Sequence, residues 1–160
     1  MSDPFAPEGV VFTPVSRELI KVRSIGLLIT YMILLSGSVA TGFLFSYWIF
    51  IATGIFFFLA TWQIWLVRRQ VRALGWAEGK EEFMIRKGIM FRSLTLVPYG
   101  RIQYVDVKEG PIARHYGITT ITLHTASPET SATLDGVPAK EASRLRDLLA
   151  ERGSAELAGL

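Results

Sequence analysis

From Ser24 to Val67 the chain runs for 44 residues without a single Asp, Glu, Lys, Arg, His or Pro. One straight helix of that length would be roughly twice as long as the ~30 Å hydrocarbon layer of a bilayer is thick, so the run has to fold back on itself. Thr41, Gly42 and Ser46 interrupt the large apolar residues and place the turn between Ala40 and Ser46, which gives spans of about 24–41 and 47–67. Hydrocarbon offers no water to backbone amides, so both spans are expected to be helical despite their many Ile and Phe. Ser36, Gly37, Ser38, Ala40 and Gly42 are small enough to let the two helices approach closely. A buried pair of soluble core helices would need polar faces, and the run has none. Ser38-Val39-Ala40 fits the small-x-small pattern of a signal-peptide cleavage site, but the preceding region is long and a second span follows at once.

The flanks set the expected orientation. Lys21 and Arg23 precede the first span, Arg68, Arg69 and Arg72 follow the second, and the connection carries no charge, so both termini are expected in the cytoplasm and the protein in the cytoplasmic (inner) membrane as a multi-pass protein. Tyr47 and Trp48 would sit at the outer interface, Trp62 and Trp65 at the inner one. The net charge of +3 comes from Arg68, Arg69 and Arg72 alone, because residues 1–23 and 73–160 each balance. That local cluster suits anionic lipid headgroups, at ~1 kcal/mol per residue and without specificity, and offers no basic face for nucleic acid. No Cys and only two His leave no thiol nucleophile, no Cys-ligated metal and little for a His site, so neither cofactor nor metal is expected. With no ionisable group in either span, the hairpin also lacks the means for an ion or proton pathway.

Ahead of the hairpin, residues 1–9 with Pro4, Pro7 and Gly9 read as a flexible terminus, Val10 to Phe12 as a small apolar patch, and Ser16 as the N-cap of a helix that runs on into the bilayer. After Arg72 the pattern switches to period two. Strands are expected at about 73–78, 82–88, 90–97, 101–109, 118–126 and 130–135, with a short strand or turn around 112–116. Turn residues separate them: Gly79-Lys80, Lys87-Gly88, Pro98-Tyr99-Gly100, Gly110-Pro111, Gly117, Ser127-Pro128 and Asp135-Gly136. Such short connections favour antiparallel hairpins. Pro138 then fits a first helical turn, Ala142, Leu145, Leu148 and Leu149 recur at helical spacing, and Gly153 is a natural stop. The fold class that follows is an α+β membrane protein. A two-helix transmembrane hairpin (24–67) sits between a cytoplasmic segment (1–23) and a curled antiparallel β-barrel or roll capped by a C-terminal helix (68–153), with a flexible tail (154–160).

An antiparallel roll plugged by one helix has the shape of a pleckstrin-homology (PH)-like barrel. The ordered set Arg86-Lys87-Gly88, Arg92, Val97-Pro98, Arg101-Ile102-Gln103-Tyr104-Val105, Gly110-Pro111-Ile112-Ala113-Arg114, Gly117-Ile118 and Thr125-Ala126, closed by the helix from Glu141 to Leu149, resembles the bacterial PH domain family. It is similar in particular to the YdbS-like membrane proteins, in which two helices precede one such domain. The resemblance singles out Arg86, Gly88, Pro98, Arg101, Gln103, Pro111, Arg114 and Gly117 as motif positions, structural or partner-binding. It also implies oligomer formation and a role in envelope stress or tolerance of membrane-active antimicrobials.

Two readings of the polar motif residues compete. Arg101, Gln103 and Arg114 would act as ties to carbonyls or to carboxylates such as Asp106. Alternatively they would rim an exposed sheet edge that accepts a peptide or partner strand, which also gives self-association. Lys80, Arg86, Lys87 and Arg92 surround one hairpin in the manner of a phosphoinositide-binding loop, but Glu78, Glu81 and Glu82 lie among them in sequence and are expected to offset their field. Enzyme motifs are missing: His115 and His124 fall on different elements, with no nucleophile elbow and no phosphate-cradling glycine loop. The function expected is therefore a non-catalytic binding or assembly module at the cytoplasmic membrane face, partnered by itself or another protein. The competing class is a structural subunit of a larger membrane complex, with an enzyme as a further alternative.

Overall fold

The structure, a computed structural model, describes residues 9–44, 48–127 and 131–158, and these divide into two units. The first to consider is the hairpin, residues 20–69. It holds most of helix α1 (Glu18–Leu44) and of helix α2 (Ile49–Arg72), both long and apolar enough to cross a membrane, with mean hydropathies of 1.7 and 1.8. Only 11% of each apolar window is buried, and Met32, Ile33, Phe57 and Phe58 are each about two thirds exposed. Core helices of a soluble protein would hide these side chains, so their outward display calls for a hydrocarbon solvent.

Hydroxyls within the hairpin are satisfied without water, mostly by the backbone of their own helix. The hydroxyls of Thr30, Ser36 and Thr61 donate to the carbonyls of Gly26, Ile33 and Phe57 on their own helices, and Thr41 donates to Gly37. Ser38 and Thr53 bond across the helices at 2.8 Å, and the Phe50 ring lies over Gly42. The close approach expected from the small residues is thus made at Ser38 and Gly42. Ser46 and Tyr47, named for the turn and the outer interface, lie outside the described residues, as do Pro128 and the stretch up to Glu8.

The second unit is a β-domain. Its strands are β1 (Thr13–Pro14), β2 (Gly75–Glu78), β3 (Glu82–Lys87), β4 (Ser93–Pro98), β5 (Ile102–Lys108), β6 (Ile118–Thr125) and β7 (Ala132–Pro138). They form two antiparallel sheets, ordered β1-β2-β3-β4 and β5-β6-β7. A turn of 3-10 helix, Tyr99–Arg101, joins the sheets, and helix α3 (Pro111–His115) links β5 to β6. Helix α4 (Ala139–Ala158) packs on the 3-10 turn, β5, β6 and β7. Phe83, Ile85 and Val97 from one sheet and Ile121, Leu123 and Leu134 from the other meet Leu145 and Leu149 of α4 in the core. In β6 and β7 the period-two alternation matches burial of one face, whereas β2 and β3 bury both faces at residues 76–77 and 83–85.

Three features after the first sheet differ from the sequence expectation. Residues 111–115 are helical, neither strand nor simple turn: Pro111 occupies the first turn, where its missing N–H costs nothing, and Gly117 at φ +64 ends the segment. Pro138 closes β7, and the helix opens at Ala139. Gly153 does not stop that helix. It lies buried within α4, where a Cβ would sit 3.4 Å from the Tyr99 carbonyl, so its lack of a side chain serves close packing on the 3-10 turn.

The largest difference lies ahead of the hairpin. β1 pairs with β2 through Thr13↔Trp76 and Pro14↔Gly75, an edge position where proline's missing donor is tolerated. The Val15 N–H donates to Leu74 O at 3.4 Å and the Ser16 N–H to Gly136 O at 2.8 Å. Val15 and Leu19 are buried, and Ser16 Oγ accepts the Glu18 N–H at 3.2 Å, as an N-cap does. The β-domain is therefore built from the residues up to Leu19 together with those from Gln70 onward, and the hairpin is inserted between its first two strands.

Candidate functional site

Among the described residues β5 lies at the edge of its sheet, with β6 on one side and no strand on the other. α4 runs past that edge, and between them opens a groove of about 410 Å³. Val105 and Leu149 give it an apolar wall; Gln103, Tyr104, Arg146 and Ser154 give it a polar rim. A register shift between Ile102 and Tyr104 places Gln103 at a β-bulge, which re-aims its side chain outward. Tyr104 is 57% exposed and stacks on His124 across the strand pair at 4.2 Å, which stiffens the outer face of the edge. Such an arrangement can take an extended segment: the strand edge supplies backbone donors and acceptors, and the groove receives alternate side chains.

The helix that forms the groove's far wall is pinned to the first sheet. Arg144 pairs with Glu78 of β2 and with Glu141, and lies over the Trp76 ring. Arg152 donates to Gly79 O at 2.9 Å and to the Tyr99 hydroxyl at 3.1 Å, while that hydroxyl donates to Gly79 O at 3.2 Å. Glu156 Oε2 accepts the Gly100 N–H at 2.6 Å. Sequence reading missed Tyr99, Arg152 and Glu156, because their partners are backbone atoms tens of residues away and leave no pattern.

Burial raises the pKa of the Tyr99 phenol above its ordinary 10.0, against the opposing pull of Arg152. Above pH 10 the unfolded chain releases this proton before the folded one does. Tyr99 thus contributes fully below that pH and progressively less as pH rises towards the folded-state value. Replacing it in a Tyr99→Phe variant should flatten the alkaline fall in stability, read as denaturation midpoint against pH between about 8 and 11. An unchanged slope would mean that Tyr99 is not its source.

The motif residues are dispersed over the domain. Arg86 on β3 places its guanidinium 4.5 Å from the Phe12 ring, and Gly88 at φ +93 opens the β3–β4 turn. Pro98 closes β4, Pro111 opens α3, and Gly117 ends it. Arg101, Gln103 and Arg114 are exposed. The expected tie to Asp106 is made instead by Lys108, at 2.8 Å, and among the described residues no side chain pairs with Arg101 or Arg114. At the end of α2, Trp62 and Trp65 lie 5.6 Å apart, Arg69 sits 4.8 Å over Trp65, and Arg68 and Arg72 are exposed. His115 meets the edge of Tyr116, and among the described residues neither histidine pairs with a carboxylate.

Lys80 is separated from Arg86, Lys87 and Arg92. It lies in the β2–β3 turn, at the opposite end of the sheet from the β3–β4 turn, and Glu78, Glu81 and Glu82 lie at the Lys80 end. The acids expected to offset the basic group therefore do not stand beside it.

The family model described as "Bacterial PH domain" matches residues 19–153. The chain is also similar to the UPF0699 transmembrane protein YdbS of Bacillus subtilis (strain 168), with 32% identity over 110 residues, 66% of each chain. The aligned stretch thus spans just under two thirds of that relative's length. No solved structure matches the chain.

Proposed function

Because this chain belongs to the bacterial PH domain family, we propose that it is a non-catalytic docking module, anchored by its hairpin at the cytoplasmic face of the inner membrane. The observation that carries this reading is the unpaired edge of β5 beside the groove against α4. The occupant is an extended segment of a protein partner, a second copy of the chain included. An edge left uncovered is an aggregation liability, and here α4 runs beside it. The arginines that close α2 support the placing of both termini inside. The envelope-stress role implied by the family resemblance belongs to the same proposal, with the docked partner as its mediator.

The test is a photo-crosslinking residue placed at Gln103 in full-length protein in its own membrane, with the same residue at Arg114 as the control. Adducts should form at position 103 and not at 114, and their mass should identify a second copy or another protein. Adducts dominated by one membrane-embedded partner and formed equally from both positions would favour a subunit of a larger complex. Position 103 yielding nothing would end the strand-docking reading.

A further inference from the structure

Phe58, Thr61, Trp62, Trp65 and Arg69 follow one another at short helical intervals along α2, which puts them on one face of the helix. All five are exposed. The ring centroids of Phe58 and Trp62 lie 6.2 Å apart, those of Trp62 and Trp65 5.6 Å, and the Arg69 guanidinium caps the series at 4.8 Å from the Trp65 ring. Phe58, Thr61, Trp62 and Trp65 line an open notch of about 310 Å³ on this face. The Thr61 hydroxyl already donates to Phe57 O at 3.0 Å, so it asks nothing of an occupant. A notch walled by rings and closed at one end by a cation suits a molecule with an apolar body and an anionic head.

The stripe has the length of one lipid. From Phe58 to Arg69 the helix rises about 16 Å, against about 15 Å for half of the hydrocarbon layer. α2 contains no acid, and among the described residues no carboxylate pairs with Arg69. Its charge is therefore available at the depth where headgroups begin.

We propose that this face of α2 is a binding site for one anionic phospholipid of the leaflet in which α2 ends, with its acyl chain in the notch and its phosphate on the Arg69 guanidinium. The site lies wholly within the hairpin, rests on the membrane reading of that hairpin, and is independent of strand docking at β5. Charge complementarity favours a lipid over a second copy: copies share one orientation in a bilayer, so a seam between two α2 helices would set Arg69 against Arg69. It also separates this site from a general attraction of the arginine cluster. Arg68 carries the same charge about 100° round the helix, away from the stripe.

The tryptophans of the stripe report on the site. A full-length Trp48→Phe protein keeps Trp62, Trp65 and Trp76, the last buried in the β-domain. It would be placed in vesicles of phosphatidylcholine and phosphatidylglycerol in which the acyl chains of one lipid or the other are brominated, at equal mole fraction of quencher. Brominated phosphatidylglycerol should quench more strongly. Arg69→Gln should cut that preference about fivefold, while Arg69→Lys should retain it and Arg68→Gln should leave it unchanged. Equal quenching by both lipids overturns the proposal, as does an equal loss of preference in Arg68→Gln and Arg69→Gln. Quenching that fades as the protein is concentrated in the vesicles would assign the face to a second copy. Loss of the preference on adding soluble glycerol phosphate would reduce the site to a bare anion contact, and either result overturns the proposal as well. Tryptophans of the stripe that neither lipid quenches overturn it through its premise, leaving strand docking at β5 to be judged by its own crosslinks.

Discussion

Expressed from Gln70 to Leu160 alone, the β-domain should lose about 3–6 kcal/mol relative to a version in which residues 9–19 are joined to Gln70 by a flexible glycine–serine linker. That figure is the burial of two apolar side chains, Val15 and Leu19, at about 1.5–3 kcal/mol each. Against a typical total of about 5–15 kcal/mol, the loss brings the shorter chain close to unfolding. Trp76 makes a direct probe. It pairs with Thr13, is buried, and is the sole tryptophan of this unit, since Trp48, Trp62 and Trp65 belong to the hairpin. Urea titration followed by its fluorescence should give a lower midpoint for the shorter chain, and adding a peptide of residues 9–19 should raise it. Equal midpoints would mean that the arm ahead of the hairpin is a passive leader.

Gly136→Ala should cost about 2–5 kcal/mol in the full domain. Gly136 adopts φ +78, a conformation that costs an L-residue about 1–2 kcal/mol. A Cβ there would also meet Leu19 Cδ2 at 2.8 Å and Leu19 Cβ at 2.9 Å, and overpacking of this kind typically costs about 1–3 kcal/mol more. The nearest atoms include Leu19 Cβ, which cannot swing aside without moving the start of α1. Leu19→Ala alone should be destabilising through lost burial, yet the double variant should be more stable than the sum of the two single effects implies. Strict additivity in that cycle would show that Leu19 and Gly136 do not press on each other.

Both results concern a contact that sequence reading could not see. Thr13–Pro14 is too short to show alternation, contains a proline, and stands 61 positions ahead of its partner at Gly75. The hairpin was legible because 44 residues without a charge admit few other solutions. β6 and the buried face of α4 were legible because their periodicity reflects burial on one side. Gly153 was misread because a glycine at a helix stop and a glycine at a close helix approach look alike in one dimension. The place of the acids was hidden for a related reason: Glu78, Glu81 and Glu82 are neighbours of Arg86 along the chain, but the strands carry them to the far end of the sheet. The β5 edge was anticipated in kind, and what sequence could not supply was its second wall, since nothing in residues 146–154 announces that they will lie beside residues 102–105.

The insertion of the hairpin between β1 and β2 also dictates an order of events at the ribosome. Pro14 is synthesised 61 residues before Gly75, so at about 5–20 residues per second the first strand waits roughly 3–12 s for a partner. Both apolar helices are translated within that interval. Pairing of β1 with β2 therefore cannot begin until both apolar helices between them have been made.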